Sequence, residues 1–138
     1  MDNCVFCKIV SGELPSTKVY EDESSLAFFD IHPAVGGHTL VIPKKHVERL
    51  EAMDDADILP FMKAVKKTSN ALQKTLKADG LNTVSNSGRA AGQIIFHAHM
   101  HLLPRFETDG IGKDFKWGRK QFVQESAEKL AKMIQENF

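Results

Sequence analysis

Short runs of bulky apolar residues, separated by turn-forming residues, predict five β-strands. The clearest turn contains Pro33, Gly36 and Gly37 and separates two of the most apolar runs. Most of the runs have the length of a strand rather than that of a helix. The predicted strands are residues 19–21, 26–31, 38–43, 81–86 and 94–103, and Pro104 stops the last of them.

A helical repeat of apolar positions follows the third predicted strand. Asp57 is a suitable N-cap, because it leaves Pro60 in the first turn, where a missing N–H costs nothing. Asp79 and Gly80 end this helix. A short turn or helix at residues 4–11 and a C-terminal helix over residues 122–134 complete the pattern. Strands beside one main helix, without regular β-α-β alternation, predict an α+β fold with a mainly antiparallel five-stranded sheet.

Length and charge narrow the function. The 138 residues suffice for a single domain, residues 1–138, with a buried core. Lys and Arg number 18, as do Asp and Glu, and this zero net charge argues against a nucleic acid polymer as partner. No apolar run approaches the ~20 residues that span a bilayer. The N-terminus also lacks the features of a signal peptide. We therefore expect a cytoplasmic protein with no membrane partner.

Three histidines, His97, His99 and His101, alternate with Ala98 and Met100. Alternate side chains of a strand share one face, so all three imidazoles are predicted on one side of the sheet. Three imidazoles are too polar for a core without partners. Two functions remain open at this point. Either two of the histidines chelate a catalytic metal, or one imidazole acts as a nucleophile toward phosphorus.

Further motifs accompany the histidines in a fixed order. They are L-A-F-F-D-I at 26–31, G-H-T-L-V-I-P-K-K-H at 37–46, V-S-N at 84–86, G-Q at 92–93 and L-L-P at 102–104. Together with H-A-H-M-H, this set resembles the histidine triad (HIT) family, specifically its small nucleotide-binding branch. The resemblance covers residues 4–104, about three-quarters of the chain. Residues 105–138 form the segment that varies most within the family.

The resemblance implies chemistry at the α-phosphorus of a nucleotide. His99 would attack the phosphorus and form a nucleotidyl-histidine intermediate, which water would hydrolyse. His101 would lie against the phosphate oxygens, and His38 corresponds to the fourth histidine of the family. Asp30 would bind the ribose hydroxyls. The other implied contacts are Phe28 and Ile31 at the base, with Phe6 and Ile9 completing that wall, and Asn86 and Gln93 at the phosphate or ribose.

The resemblance implies a homodimer that hydrolyses purine nucleotides or nucleoside phosphoramidates. A dinucleoside polyphosphate hydrolase would use the same residues and remains an alternative. A low-turnover nucleotide-binding or partner-binding module is a second alternative, because Ile94 stands where most relatives carry Ser or Thr. A zinc metalloenzyme that uses the triad as ligands is a third, but it lacks an obvious general-base carboxylate beside the histidines.

The C-x-x-C pair, Cys4 and Cys7, is a weak signal by itself, because two buried thiols would give the same pattern. A disulfide is not expected in a reducing compartment. His46 and His97 have no role in the catalytic scheme above. With the two thiolates they make a tetrahedral Cys₂His₂ set suited to Zn²⁺, as in bacterial-type members of the family. Four protein ligands leave no open position, so this zinc is predicted to be structural.

Overall fold

The computed structural model describes residues 3–112, 118 and 120–138. In this part of the chain, five strands form one antiparallel sheet in the order β1-β2-β3-β5-β4. The strands are β1 (Lys18–Glu21), β2 (Ser25–Phe29), β3 (Thr39–Pro43), β4 (Gly80–Val84) and β5 (Met100–Arg105). The α-helices are α1 (Val5–Ser11), α2 (Asp55–Leu76) and α3 (Gln124–Gln135). The predicted α+β class and antiparallel sheet are confirmed.

Both faces of the sheet are covered, and every residue of β2 and β3 is buried. This explains why these strands read as continuous apolar runs rather than as alternating patterns. The back face packs against α2 and α3 through Ala27, Phe29, Val41, Met100 and Leu102. The front face packs against α1, and its core consists of Phe6, Ile9, Leu26, Phe28, Leu40 and Ile42.

The long helix α2 begins and ends earlier than predicted. Its N-cap is Asp54 rather than Asp57, because the carbonyl of Asp54 accepts the first helical bonds, from the N–H groups of Asp57 and Ile58. Asp57 instead lies in the first turn, where negative charge is favourable. The helix ends when Lys77 adopts a left-handed conformation with φ of 54°. None of the described helices combines the length and the apolar character needed to cross a bilayer.

The strand predicted at residues 94–103 is wrong at both ends, since β5 runs from Met100 to Arg105. Residues 94–99 lie outside the strand. Pro104 is tolerated within β5 because the pairing with β3 ends at Leu102, so residues beyond it pair with β4 alone. A proline that lacks an N–H is compatible with such a locally one-sided strand.

The turn between β2 and β3 needs glycine at position 37. Gly37 has φ of 79°, and a Cβ atom there would lie 2.8 Å from Leu76 Cδ1 and 3.3 Å from Pro104 Cγ. This turn therefore packs directly against α2 and β5. It also returns the chain so that the carbonyl of His38 accepts the N–H of Asp30 at 3.0 Å. The two residues that flank the turn are thereby fixed side by side at the edge of the front face.

The C-terminal helix predicted at residues 122–134 is confirmed as α3, with its start shifted to Gln124. Ala127, Ala131 and Ile134 bury one side of it against the back of the sheet. Beyond the helix, the Phe138 ring stacks on Tyr20 with centroids 4.7 Å apart. The C-terminal residue Phe138 thus packs against β1.

Candidate functional site

A buried cluster of histidines lies on the front of the sheet, where β2, β3 and β5 are neighbours. Leu40 and His101 are register partners, so His38, two residues before Leu40, lies diagonally next to His101. His38 Nε2 is 2.9 Å from His101 Nδ1. The rings of His99 and His101 are 4.9 Å apart, and Asp30 Oδ2 is 3.5 Å from His38 Nε2. The structure brings together these four predicted residues, although His38 and His101 are 63 positions apart.

A chain of hydrogen bonds fixes the tautomers of His38 and His101. The backbone N–H of Ala34 donates to His38 Nδ1 at 2.9 Å. Because Nδ1 accepts, a neutral His38 carries its proton on Nε2 and donates it to His101 Nδ1. The proton of a neutral His101 is then on Nε2. The Nε2 atom of His101 is therefore a hydrogen-bond donor and not an acceptor.

His99 has the opposite tautomer from that of His38 and His101. Its Nδ1 lies 2.6 Å from the carbonyl oxygen of His97, and a carbonyl only accepts. Nδ1 therefore carries the proton, and Nε2 keeps the lone pair. The hydroxyl of Ser85 donates to the carbonyl of His99 at 3.0 Å and fixes the backbone on the other side. His99 is thus held as a neutral base with a defined reactive nitrogen.

Burial keeps the cluster uncharged at neutral pH. It lowers the pKa of His38 to about 4, although the Asp30 carboxylate opposes this shift. Burial, together with repulsion from His99 and His38 when these are charged, lowers the pKa of His101 to about 3. Burial also lowers the pKa of His99, against the opposing effects of the His97 carbonyl and of Asp30.

This cluster makes stability depend on pH in the acid range. The folded-state pKa values of His38 and His101 lie below the unfolded value of about 6.5. Their contribution to the free energy of unfolding is complete above pH 6.5. It is lost as pH falls to about 4 for His38 and to about 3 for His101, by about 1.4 kcal/mol per pH unit for each group. Urea unfolding between pH 7.5 and 4.5 should show this decline, and His101→Asn should make it shallower. The matched variant His32→Asn, at an exposed histidine, should keep the wild-type slope. Equal slopes for all three proteins would contradict the prediction.

A second cluster joins Cys4, Cys7, His46 and His97, whose ligand atoms all lie within 4.8 Å of one another. Cys4 Sγ is 3.4 Å from His97 Nδ1, and Cys7 Sγ is 3.3 Å from His46 Nδ1 and 3.6 Å from His97 Nδ1. Sulfur and nitrogen ligands of a tetrahedral Zn²⁺ are about 3.5 Å apart. The four residues therefore fit the ion in number, chemistry and spacing.

Three chain segments supply this metal set. Cys4 is the N-cap of α1 and Cys7 lies one turn later, while His46 follows β3 and His97 precedes β5. His97 Nε2 donates to the carbonyl of Pro43 at 2.8 Å, which leaves Nδ1 for the ion. The cluster thus connects α1 to the sheet.

Asp30, His38 and His101 are also close enough together to be considered as metal ligands. The N–H of Ala34, however, holds the lone pair of His38 at Nδ1 and so keeps the proton on Nε2, which faces the other two residues. A cation at Nε2 would need that proton on Nδ1, opposite the Ala34 N–H. This argues against a metal ion held by Asp30, His38 and His101.

The predicted base-binding residues lie in two different environments. Phe28 and Ile9 are buried in the front core, and Phe6 meets Phe28 edge-on at 5.5 Å. Ile31 is 63% exposed.

Asp30 Oδ1 accepts the N–H of His32 at 2.8 Å, whereas its Oδ2 faces the histidines. Asp30 therefore caps its turn and also faces the site.

The amide of Gln93 is fully engaged with the backbone. Its Oε1 accepts the N–H of Gly88, and its Nε2 donates to the carbonyls of Glu48 and Ile95. Asn86 is half-buried, and its amide lies next to Gly92. In this structure Gln93 shapes the small-residue loop at 87–92, and it would reach a phosphate only by exchanging these bonds.

Several groups that fix the site had no signal in the sequence. The N–H of Ala34 and the carbonyls of Pro43 and His97 are backbone groups, which every residue type offers. Pro43 and His97 belong to motifs named above, as does Ser85, whose hydroxyl also fixes the site. Its contact with the backbone of His99 was not predicted.

Comparison with known proteins decides the family. The family model for the HIT domain matches residues 11–108. The chain belongs to the HIT family. An uncharacterized HIT-like protein of Methanocaldococcus jannaschii is 55% identical over 107 residues, which are 78% of this chain and 82% of that protein.

Two HIT relatives have names that state an activity. The adenosine 5′-monophosphoramidase hnt1 of Schizosaccharomyces pombe is 42% identical over 114 residues, 80% of each chain. The adenylylsulfatase HINT3 of Arabidopsis thaliana is 44% identical over 108 residues, which are 78% of this chain and 55% of that protein. At the level of the family, these relatives support nucleotide binding and hydrolysis.

Solved HIT structures share the fold over nearly the whole chain. A hypothetical histidine triad nucleotide-binding protein from Sulfolobus tokodaii has a TM-score of 0.88 and 45% identity, over 97% of this chain and 91% of that one. A Zn-bound histidine triad family protein from Mycobacterium smegmatis has a TM-score of 0.83 and 34% identity, over 99% and 93% of the two chains. The second structure shows that a HIT protein of this fold binds zinc.

Proposed function

We propose that this HIT protein is a nucleotide hydrolase or transferase that cleaves nucleoside phosphoramidates or related nucleotide esters through a nucleotidyl-His99 intermediate. The hydrogen bond from His99 Nδ1 to the His97 carbonyl is the observation that supports this most directly. It leaves a neutral, buried imidazole with its Nε2 lone pair available for attack on phosphorus. The activities stated in the names of the two relatives supply the substrate class.

In the first step, His99 Nε2 forms a bond to the α-phosphorus and the bond to the leaving group breaks. The ring gains positive charge, which the carbonyl of His97 stabilises through Nδ1–H. His101 donates Nε2–H to a phosphate oxygen, and His38 holds His101 in the required tautomer. In the second step, water attacks the same phosphorus and releases the nucleoside monophosphate and the free imidazole.

The nucleoside would lie along the front edge of the sheet. We assign Asp30 to the ribose hydroxyls, because its Oδ2 is directed toward the histidines while Oδ1 is engaged in the turn. The base would be bounded by the residues named from the resemblance. Of these, Ile31 already presents an exposed apolar surface. Asn86 would bind phosphate or ribose, and Gln93 would act by shaping the adjacent loop.

The test is to incubate the protein with adenosine 5′-phosphoramidate and to measure release of AMP. A rapid alkaline quench, followed by peptide mass spectrometry, should locate an adenylyl group on His99. Diadenosine polyphosphates assayed in parallel separate the two substrate classes. Absence of both AMP release and the adduct would overturn the proposal.

Ile94 offers a second measurement on the same reaction. Its side chain is 85% exposed, so replacement should leave the core intact. Ile94→Thr adds a hydroxyl donor for the phosphate or leaving group, and one such hydrogen bond contributes about 1 kcal/mol, or roughly fivefold in rate. Ile94→Val, which has the shape of Thr without the hydroxyl, is the matched control and should keep the wild-type rate. The same AMP release from both variants would count against this role.

We also propose that the second cluster holds one structural Zn²⁺ through Cys4, Cys7, His46 and His97. The fit of the four ligand atoms to a tetrahedral ion supports this. When bound, the ion would supply a cross-link and not a Lewis acid for substrate, because the protein fills all four positions. Purine preference and a homodimer complete the proposal and rest on the family resemblance, whereas a cytoplasmic location stays a prediction from the sequence alone.

A further inference from the structure

Phe6 connects the metal cluster to the histidine that we propose as nucleophile. Its ring is only 3% exposed and meets the His99 ring edge-on, with centroids 5.1 Å apart at 88°. The same ring meets His97 at 5.8 Å and Phe28 at 5.5 Å, in both cases at 75°. Phe6 thus touches a residue of the metal set and the proposed nucleophile at the same time.

We propose that Phe6 is a positioning residue that holds the His99 imidazole for attack, and that it makes the reactivity of His99 depend on the ion in the Cys4–Cys7–His46–His97 cluster. The inference rests on the proposed function, whose site it extends. Phe6 takes no part in the chemistry and acts through His99.

The imidazole of His99 needs this second restraint. Its hydrogen bond to the His97 carbonyl fixes which nitrogen is protonated but leaves the ring able to tilt about that bond. An edge-on aromatic neighbour limits this tilt, because the edge of one ring is attracted to the face of the other. A displacement of about 1 Å in a reacting group can lower a rate by roughly 100-fold, so a modest restraint matters for attack.

The position of Phe6 depends on α1. This helix has seven residues, too few to be stable alone, so its place is set by its contacts. Phe6 lies between Cys4 and Cys7 in the sequence, and both thiols belong to the metal set. Binding of the ion therefore fixes α1 at both sides of Phe6. Loss of the ion leaves only the front core to hold the ring against His99.

The resemblance assigns Phe6 to the base wall, and the two roles have different consequences. A base-wall residue contributes to nucleotide affinity, so its loss raises the Kd for AMP. A positioning residue contributes to the rate of adduct formation at saturating substrate. The comparison of Kd with rate therefore separates the two roles.

The experiment uses the full-length zinc-loaded protein and the variant Phe6→Leu, which keeps an apolar side chain but removes the ring. We expect adduct formation at saturating adenosine 5′-phosphoramidate to slow by about tenfold or more, within the range for a misplaced group. The Kd for AMP should change by less than about twofold, and the zinc content should stay at about one per chain, because every ligand is retained. Ile42→Val, which removes one methylene from the same front core, should keep the wild-type rate.

A raised Kd with an unchanged rate would assign Phe6 to the base wall alone and overturn the inference. An equal loss of rate in Ile42→Val would also overturn it, because general loosening of the core would then suffice. If Phe6→Leu does not fold, wild-type protein with graded zinc content replaces it. The adduct rate should then follow the zinc content while circular dichroism and the Kd for AMP stay constant, and a rate independent of zinc would refute the coupling.

One readout separates this inference from the proposed function. The His99 Nδ1 proton, held in a 2.6 Å hydrogen bond, should give a protected low-field NMR signal in the zinc-loaded wild type. Phe6→Leu or removal of zinc should broaden this signal. A wild type that shows the signal but forms no adduct refutes the proposed function, whereas a signal unchanged by both treatments refutes the role of Phe6.

Discussion

His99→Ala is expected to slow AMP release from adenosine 5′-phosphoramidate by about 10⁴-fold or more, the size of loss seen when a covalent nucleophile is removed. The reason is that His101 and His38 have their Nδ1 atoms engaged as acceptors and present N–H groups, not a lone pair, at Nε2. The variant should still bind AMP, since Asp30 and the base-binding residues are unchanged. Steady-state kinetics and calorimetric titration with AMP measure the two properties.

Zinc content is the second readout of this experiment. His99→Ala should keep about one zinc per chain, because the metal set does not include His99. The exposed His32 provides a matched control, and His32→Ala should retain full turnover. If His99→Ala loses its metal, the triad is a metal centre. If it keeps its turnover, the nucleophile is another residue.

Replacing both cysteines, Cys4→Ser with Cys7→Ser, is expected to abolish zinc binding and to lower the free energy of unfolding by about 4 kcal/mol. That value corresponds to an ion present at roughly 1,000 times its Kd. For a chain of this length the loss is equivalent to about ten degrees or more in Tm. Elemental analysis and thermal unfolding measure the two effects.

Chelation provides the control for this prediction. Wild-type protein stripped of metal should unfold at the temperature of the double variant, and the chelator should have no further effect on that variant. A stripped wild type that is as stable as the loaded protein would show that the cluster does not support the fold.

Most of the sheet was predictable from the sequence, because β2 and β3 are buried along their whole length and therefore consist of continuous apolar runs. The prediction failed at β5, because the alternation of histidines predicts a strand from residue 94, whereas the strand begins at Met100. The chain before Met100 is instead held by distant groups, such as the Val47 carbonyl that accepts the N–H of Ala98 at 2.7 Å. A local pattern carries no information about such partners.

In the candidate site, too, some features were predictable from local sequence and others depend on distant partners. Residue types and spacing left a metal and a nucleophile open for the triad, and the family resemblance was needed to propose His99. The Cys₂His₂ set followed from the two thiols and from two histidines without a role in catalysis. Residue types and spacing were insufficient for the tautomers, which depend on the backbone of Ala34 and His97. The sequence also did not show that the side-chain amide of Gln93 bonds to the backbone rather than facing the site.

The metal set spans most of the chain, and this has a consequence for biosynthesis. Cys4, Cys7 and His46 leave the ribosome early, whereas His97 follows about fifty residues later. At translation speeds of about 5–20 residues per second, that interval lasts roughly 3–10 s. A nascent chain cannot complete the four-ligand set until His97 has emerged. We therefore expect loading of the proposed ion to be a late event, and ribosome-bound chains stalled before His97 should not retain zinc.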